Sequence, residues 1–170
     1  MAYGFALNKG YHGIITMDGN GKDSIDSIKN FIAKLNQGYD YVQASRFIKG
    51  GKSVNLPLSR WFSIRFIHAP ILSLAAFHWY SDTTQGFRAY SARYLLDPRV
   101  KPFRKIFKKY ELLAYLTVRA TQLNFKVCEV ATTRIYPKKE SVPTKIHGFS
   151  SHFDLIITLM RTLFRSYHPK

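Results

Sequence analysis

The beginning of the chain alternates short apolar runs with an apolar pattern of helical period. Residues 13–17 (GIITM) form a β-branched apolar run that predicts a buried strand. Between 25 and 35, apolar side chains recur at helical spacing, which predicts an amphipathic helix. A second apolar run at 39–44 predicts another strand. A strand, a helix and a strand in this order are typical of a right-handed crossover that joins two parallel strands.

The rest of the chain continues this alternation. The polar, glycine-rich stretch at 46–58 is predicted as a loop, and the apolar stretch at 66–80 is shorter than the roughly 20 residues of a membrane-spanning helix. The remaining predicted elements are a long apolar helix at 60–80, a strand at 86–90, a short helix at 92–96, a helix at 111–123, a strand at 126–132 and an amphipathic helix at 153–164. Together these elements predict an α/β fold.

Composition excludes several classes of protein and indicates an anionic partner. The chain has 170 residues and is 46% hydrophobic, which suits one domain with a core and excludes a disordered basic tail. Its single cysteine, Cys128, excludes a disulfide framework and any multi-cysteine metal site. The formal net charge of +16 favours nucleic acid, acidic lipid or a phosphorylated substrate as partner.

A carboxylate and a carboxamide follow the first predicted strand. Asp18 and Asn20 stand one residue apart at its carboxyl end, where ligands bind in open α/β sheets. Both supply hard oxygen ligands, which suit Mg²⁺ or Mn²⁺ held jointly with a diphosphate. An ordinary turn of the Asp-Gly and Asn-Gly type remains the alternative.

Two further segments carry charged residues next to glycines. Arg46 precedes two glycines at 50–51, and Arg60 follows them. This segment is therefore either a mobile phosphate-binding loop or a solvated basic loop. Asp82 and Arg88 flank a glycine turn. If buried, these two would form a structural ion pair, whereas near a pocket Asp82 would bind a sugar hydroxyl or act as a base.

Four segments in order resemble the family 2 glycosyltransferases of the GT-A fold, in the branch related to dolichyl- and polyprenyl-phosphate mannose synthases. The segment IITMDGN at 14–20 resembles the family's strand and Asp-x-Asp motif, and the segment at 45–51, with Arg60, resembles its acceptor loop. The segment DTTQGFRAYS at 82–91 is similar to the family's D-x-x-S-G-F-R-x-x-S pattern. The segment at 129–146 resembles the closing strand and basic loop.

The resemblance implies a partial GT-A fold, with a mostly parallel, Rossmann-like sheet flanked by helices. Residues 1–136 would form a partial catalytic domain, and 137–170 a basic loop with an amphipathic helix. The family's first βαβ unit, which holds the nucleotide base, has no counterpart, so the chain would be either an N-terminally truncated or split product, or one whose missing strands another chain supplies. Asn20 replaces the family's second aspartate, and Gln85 replaces its usual serine.

The resemblance also implies an activity and a set of site residues. The reaction would be metal-dependent transfer of a sugar, with inversion, from a nucleotide-sugar donor to a polyprenyl phosphate or another lipid or glycan acceptor. The protein would work in the cytoplasm, bound peripherally to the anionic inner face of the cell membrane. The implied residues are Asp18 and Asn20 for the metal, Lys22, Arg46, Arg60, Arg134 and Lys145 for phosphates and substrate, and Asp82 with Arg88 in the sugar pocket. The alternatives are an inactive glycosyltransferase fragment and a basic module that binds membranes or nucleic acid.

Overall fold

A computed structural model describes residues 2–137 and 148–169, with side chains described to residue 137 and again from residue 153. The chain folds as α/β around a main sheet of four strands. In spatial order these are β1 (Gly13–Thr16), β4 (Arg88–Ser91), β2 (Tyr41–Ser45) and β5 (Val127–Ala131). The α/β prediction is therefore confirmed.

The main sheet is mixed, so the predicted mostly parallel sheet is not confirmed. The strands β1 and β2 run in the same direction, but they do not pair, because β4 lies between them and runs antiparallel to both. Only β2 and β5 pair in parallel. The chain enters β4 from the turn that ends at Gly86, at the same edge where β1 ends, and Thr16 donates a hydrogen bond to the Gly86 carbonyl there. A strand that starts where its neighbours finish must run against them.

Helices cover both faces of the main sheet. On one face, a 3-10 turn (Ile25–Ser27) leads into α2 (Ile28–Asn36), whose Phe31 packs in a buried cluster with Val42 and Phe87. The other face carries the larger cluster, which includes Tyr41, Leu72 and Leu116. The remaining helices are α1 (Ala2–Asn8), α3 (Leu58–Ser63), α4 (Ala69–Ala76), α5 (Ala92–Leu96), α6 (Glu111–Gln122) and α7 (Gly148–Leu163).

The long helix predicted at 60–80 is interrupted. A π-helical segment, Ile64–His68, separates α3 from α4, and the helix ends at Phe77 in the left-handed conformation. Pro70 explains the interruption, because proline has no N–H and its ring clashes with the carbonyl four residues earlier. The wider π turn stands immediately before this residue. No helix in the described part of the chain is long and apolar enough to cross a bilayer.

The predicted loop at 46–58 contains a strand. A second, two-stranded sheet pairs β3 (Lys52–Val54) in parallel with β6 (Thr133–Ile135) beyond the carboxyl end of the main sheet. Gly51 is needed where the chain turns back, because a Cβ there would lie 2.7 Å from the carbonyl oxygen of Ser45. The predicted C-terminal helix is confirmed as α7, which packs against α4 and α6.

Candidate functional site

Several of the predicted site residues meet at one edge of the main sheet. The strands β1, β2 and β5 all end at this edge, and β4 starts there. Asp18 and Arg46 leave the ends of β1 and β2, while Arg134 lies in β6, just after β5. The strand direction therefore assembles side chains that are far apart in sequence, as expected for a ligand site in an α/β sheet.

Arg134 joins two carboxylates at this edge. Its guanidinium is 3.1 Å from Oδ2 of Asp18 and 2.6 Å from Oδ2 of Asp23. The other Asp23 oxygen, Oδ1, is buried with no hydrogen-bond partner, and burial raises the pKa of this carboxyl above its ordinary value. Asp18 packs so closely on Gly86 that a Cβ at this glycine would collide with Oδ1 of Asp18.

The oxygens near Asp18 fit the chemistry of a hard divalent cation. Oδ1 of Asp18 accepts no hydrogen bond from the described residues, and the buried Oδ1 of Asp23 is also unpaired. Asn20 is exposed, and its Oδ1 accepts a 3.2 Å hydrogen bond from the backbone N–H of Lys22. Among the described residues, no group of three or more His, Cys, Asp or Glu side chains is placed to hold a metal. An ion at Asp18 and Asn20 would need further ligands, such as diphosphate oxygens.

Asp82 is paired with Arg46 in the buried interior. The Arg46 guanidinium donates from Nε to Oδ2 at 2.7 Å and from Nη2 to Oδ1 at 3.0 Å, which is a bidentate pair. Thr84 and Gln85 donate three more hydrogen bonds to the same carboxylate. Burial alone would raise the pKa of Asp82, but Arg46 and these donors outweigh burial and lower it. This geometry gives Asp82 a positioning role, and its predicted catalytic role stays a prediction.

Arg46 keeps little capacity for a ligand. A guanidinium has five N–H donors, and four of them here bind Asp82 (two), Thr84 and the hydroxyl of Tyr136. One N–H on Nη1 remains. The single remaining donor means that Arg46 can make at most a secondary contact with a bound anion.

Arg88 is buried without a carboxylate partner among the described residues. It donates hydrogen bonds to the carbonyls of Thr83, Gln85 and Leu113 at 2.7–2.9 Å. The structural pair expected between Asp82 and Arg88 is therefore not formed, because Asp82 binds Arg46 instead. Glu129, which the site predictions did not include, accepts hydrogen bonds from the backbone N–H groups of Ser81 and Asp82. We call Arg46, Asp82, Arg88 and Glu129 the inner network.

The ring of Tyr136 is surrounded by cations. Nζ of Lys22 and the guanidinium carbons of Arg60 and Arg134 lie 5.7, 5.7 and 5.8 Å from its centroid, within the range of cation–π attraction. Burial, followed by the charges of Arg134 and Arg60, lowers the pKa of Lys22. We call Lys22, Arg60, Arg134 and Tyr136 the Tyr136 cluster. Its crowded positive charge would be relieved by a bound anion.

A cavity of about 760 Å³ opens beside the Tyr136 cluster. Four arginines line it, and no Asp or Glu is among its described lining residues. Arg60 makes no hydrogen bond or ion pair with any described residue, so its five donors are available. The rest of the wall is mostly apolar. It is formed mainly by Phe62, Ile64, Ile67, Leu113, Ala114, Leu155 and Leu159.

His68 also lines this cavity and was not predicted as a site residue. Its Nδ1 lies 2.7 Å from the hydroxyl of Thr83. Burial lowers the pKa of His68 to about 4, so the ring is neutral at physiological pH. The sequence offered no signal for it, because its partner is a threonine 15 residues away.

The predicted residues thus fall into three groups. Those that the structure brings to the cavity or to the Tyr136 cluster are Asp18, Lys22, Arg46, Arg60, Arg88 and Arg134. Asn20 is exposed nearby, and Asp82 lies behind Arg46 in the inner network. Lys145 lies outside the described residues.

Comparison with known proteins gives no family assignment. No family model matches the chain, and no curated protein is similar to it in sequence.

Proposed function

We propose that this protein transfers a sugar from a nucleotide-sugar donor to an acceptor that carries a phosphate on an apolar chain, such as a polyprenyl phosphate. The observation that carries the proposal is the lining of the cavity. It combines arginines with an apolar wall, and no carboxylate lines the cavity among the described residues. A ligand with an anionic head and a hydrocarbon tail matches both parts. The order of the four segments that resemble family 2 glycosyltransferases supports the transfer reaction.

The acceptor phosphate would bind to Arg60, with Arg134 and the last N–H of Arg46 nearby. A phosphate oxygen is already anionic, so no general base is required, and the protein would act by positioning and by neutralising charge. That oxygen would attack the anomeric carbon of the sugar as the bond to the diphosphate breaks, which inverts the configuration. A divalent cation held by Asp18 and Asn20 would stabilise the charge of the departing nucleoside diphosphate.

The donor nucleotide would bind beside β1. In the described residues, β1 is an edge strand that pairs only with β4. We propose that further strands, supplied by a partner chain, pair with its open edge and complete a nucleotide site near Asp18. The reaction would take place in the cytoplasm at the anionic inner face of the cell membrane, where lipid phosphates are found.

A transfer assay tests this proposal. The protein, together with the partner chain that completes the nucleotide site, is incubated with Mn²⁺, labelled nucleotide-sugars and a polyprenyl phosphate, and labelled lipid is extracted. We expect product from the wild type, and none from Asp18→Ala or from a sample treated with a chelator. Asp26→Ala, which changes an exposed aspartate beside Ser24, is the matched control and should retain activity. Undiminished turnover by Asp18→Ala would refute the metal assignment.

A binding protein that does not catalyse transfer is the second candidate. It is favoured by the engagement of Asp18 with Arg134 and of Asn20 with its own turn. Calorimetry with nucleoside diphosphates and Mn²⁺, carried out with the partner chain present, distinguishes the two, because an inactive protein of this kind predicts no heat of nucleotide binding. The hypothesis of a module that binds nucleic acid is supported by the net charge alone. It predicts affinity for DNA or RNA that falls steeply as the salt concentration rises.

A further inference from the structure

The mouth of the cavity is bordered by exposed apolar side chains. Phe62, Ile67 and Tyr110 line the cavity and are also 55%, 38% and 40% exposed to solvent. Large apolar side chains in contact with water at the entrance of an apolar cavity indicate a surface that is covered in use.

Two more aromatic residues extend this border along α3 and the π-helical segment. The ring of Phe66 lies 4.7 Å from that of Phe62 and 5.7 Å from that of Trp61. Phe66 and Trp61 are themselves exposed. We call Trp61, Phe62, Phe66, Ile67 and Tyr110 the rim face.

The segments around the rim face carry positive charge and almost no negative charge. Residues 58–76 include Arg60 and Arg65 and no acidic residue, and residues 99–110 include six lysines and arginines and no acidic residue. On α7, which forms another wall of the cavity, and in the turn that follows it, the exposed Arg161 and Arg165 outnumber the single acid Asp154, which pairs with Lys109. Aromatic side chains with flanking lysines and arginines are typical of surfaces that bind an anionic bilayer.

We infer that the rim face docks on the surface of an anionic lipid bilayer, so that the mouth of the cavity opens toward the lipid. Phe62 and Phe66 enter the boundary between head groups and acyl chains, and the surrounding basic side chains contact lipid phosphates. Phe153, Ile156 and Met160 are exposed on α7, and Phe164 is exposed directly after its end, so these four side chains add apolar contact beside the rim. The inference rests on the proposed function only for the identity of the ligand that enters the cavity.

Vesicle binding tests the inference without any sugar donor or acceptor. The full chain is sedimented with phosphatidylcholine vesicles that contain or lack phosphatidylglycerol, over a range of salt concentrations. Wild type should bind the anionic vesicles, and binding should weaken as salt rises. Phe62→Ser with Phe66→Ser should bind at least about tenfold more weakly, because two apolar contacts with lipid are lost.

The matched control is Phe5→Ser. Phe5 is an equally exposed phenylalanine on α1, the helix that precedes β1 at the opposite strand end. This variant should bind as the wild type does. Thermal unfolding of all variants reports whether the fold is intact, and the exposed positions should leave it unchanged.

A second measurement observes the rim face directly. The chain has two tryptophans, so Trp79→Phe leaves Trp61 as the only one. Its fluorescence should shift to shorter wavelength on anionic vesicles and be quenched by brominated lipid. No vesicle binding at low salt would overturn the inference and leave an acidic protein as the partner of the rim face. Binding without a response from Trp61, or equal binding by the double variant, would also overturn it.

Discussion

The inner network and the Tyr136 cluster lie side by side, yet they differ in how completely their polar groups are satisfied. In the inner network, Asp82 accepts six hydrogen bonds from the side chains and backbone of Arg46, Thr84 and Gln85, and Arg88 is bound to three carbonyls. In the Tyr136 cluster, Arg60 has no polar partner among the described residues. Buried charges without spare hydrogen-bonding capacity maintain the fold, whereas cations with spare donors beside a cavity are available to a ligand.

The largest expected effect is on the inner network. Asp82→Ala removes the partner of a buried guanidinium and should lower the free energy of unfolding by about 3–5 kcal/mol, because an unpaired buried charge remains. Chemical denaturation measures this loss in the free energy of unfolding. Asp154→Ala is the matched control, since it breaks the exposed pair with Lys109 and should change stability little. Equal losses in the two variants would contradict the distinction between the regions.

The next largest expected effect is the dependence of the free energy of unfolding on pH. The folded protein keeps His68 neutral down to about pH 4, whereas the unfolded chain takes up this proton near pH 6.5. Protons therefore favour the unfolded state across this range, and acidification should lower stability by at most about 3 kcal/mol through this group. The measurement is the free energy of unfolding at several pH values.

His68→Gln is the variant that isolates this contribution. It should show a shallower loss of stability between pH 6.5 and 4 than the wild type does. Asp23, Glu129 and His168 titrate in both proteins, so the difference between the two slopes belongs to His68. Parallel slopes would mean that the His68 ring is not held neutral by its burial.

A smaller effect separates the hydroxyl of Tyr136 from its ring. Tyr136→Phe removes the hydrogen bond from Nη1 of Arg46, and should lower stability by about 1.5–3 kcal/mol, the range for hydrogen bonds to charged groups. It keeps the ring that the cations surround, so affinity for a phosphate ligand should be retained. Tyr136→Leu removes the hydroxyl and the aromatic ring. It should therefore lower the stability, measured by denaturation, and the affinity for a phosphate ligand, measured by calorimetry. If Tyr136→Phe lost affinity as completely as Tyr136→Leu, the ring would not be the feature that organises the cluster.

The sequence predicted most of the elements but not their spatial order. The runs at 13–17 and 39–44 gave strands because their apolar residues are local signals that do not depend on the rest of the chain. The position of β4 between β1 and β2 depends on pairing between distant segments, which no local pattern reports. The strands β3 and β6 were missed because they are three residues long, and neither forms an apolar run.

Only part of the candidate site was predicted, because local signals identify single residues but not the contacts between distant segments. Asp18, Arg46 and Arg60 were identifiable because each follows or borders a predicted strand or a glycine-rich segment. The partner of Asp82 was sought nearby at Arg88, but it is Arg46, 36 residues earlier. Glu129 and Tyr136 lie in the segment at 129–146 that resembles the family's closing strand, but nothing in that segment marks these two side chains as site residues, and His68 belongs to no motif. Their contacts arise only when the strand ends meet.

The most direct test of the ligand assignment is calorimetric titration of the wild type with a short-chain polyprenyl phosphate, repeated with Arg60→Ala. Arg161→Ala, which removes an exposed arginine of α7 that does not line the cavity, is the matched control. We predict saturable binding by the wild type and by the control, and affinity at least about tenfold weaker for Arg60→Ala, with stability unchanged because Arg60 makes no hydrogen bond or ion pair with any described residue. Equal affinity of all three proteins, or no saturable binding by the wild type, would contradict the account.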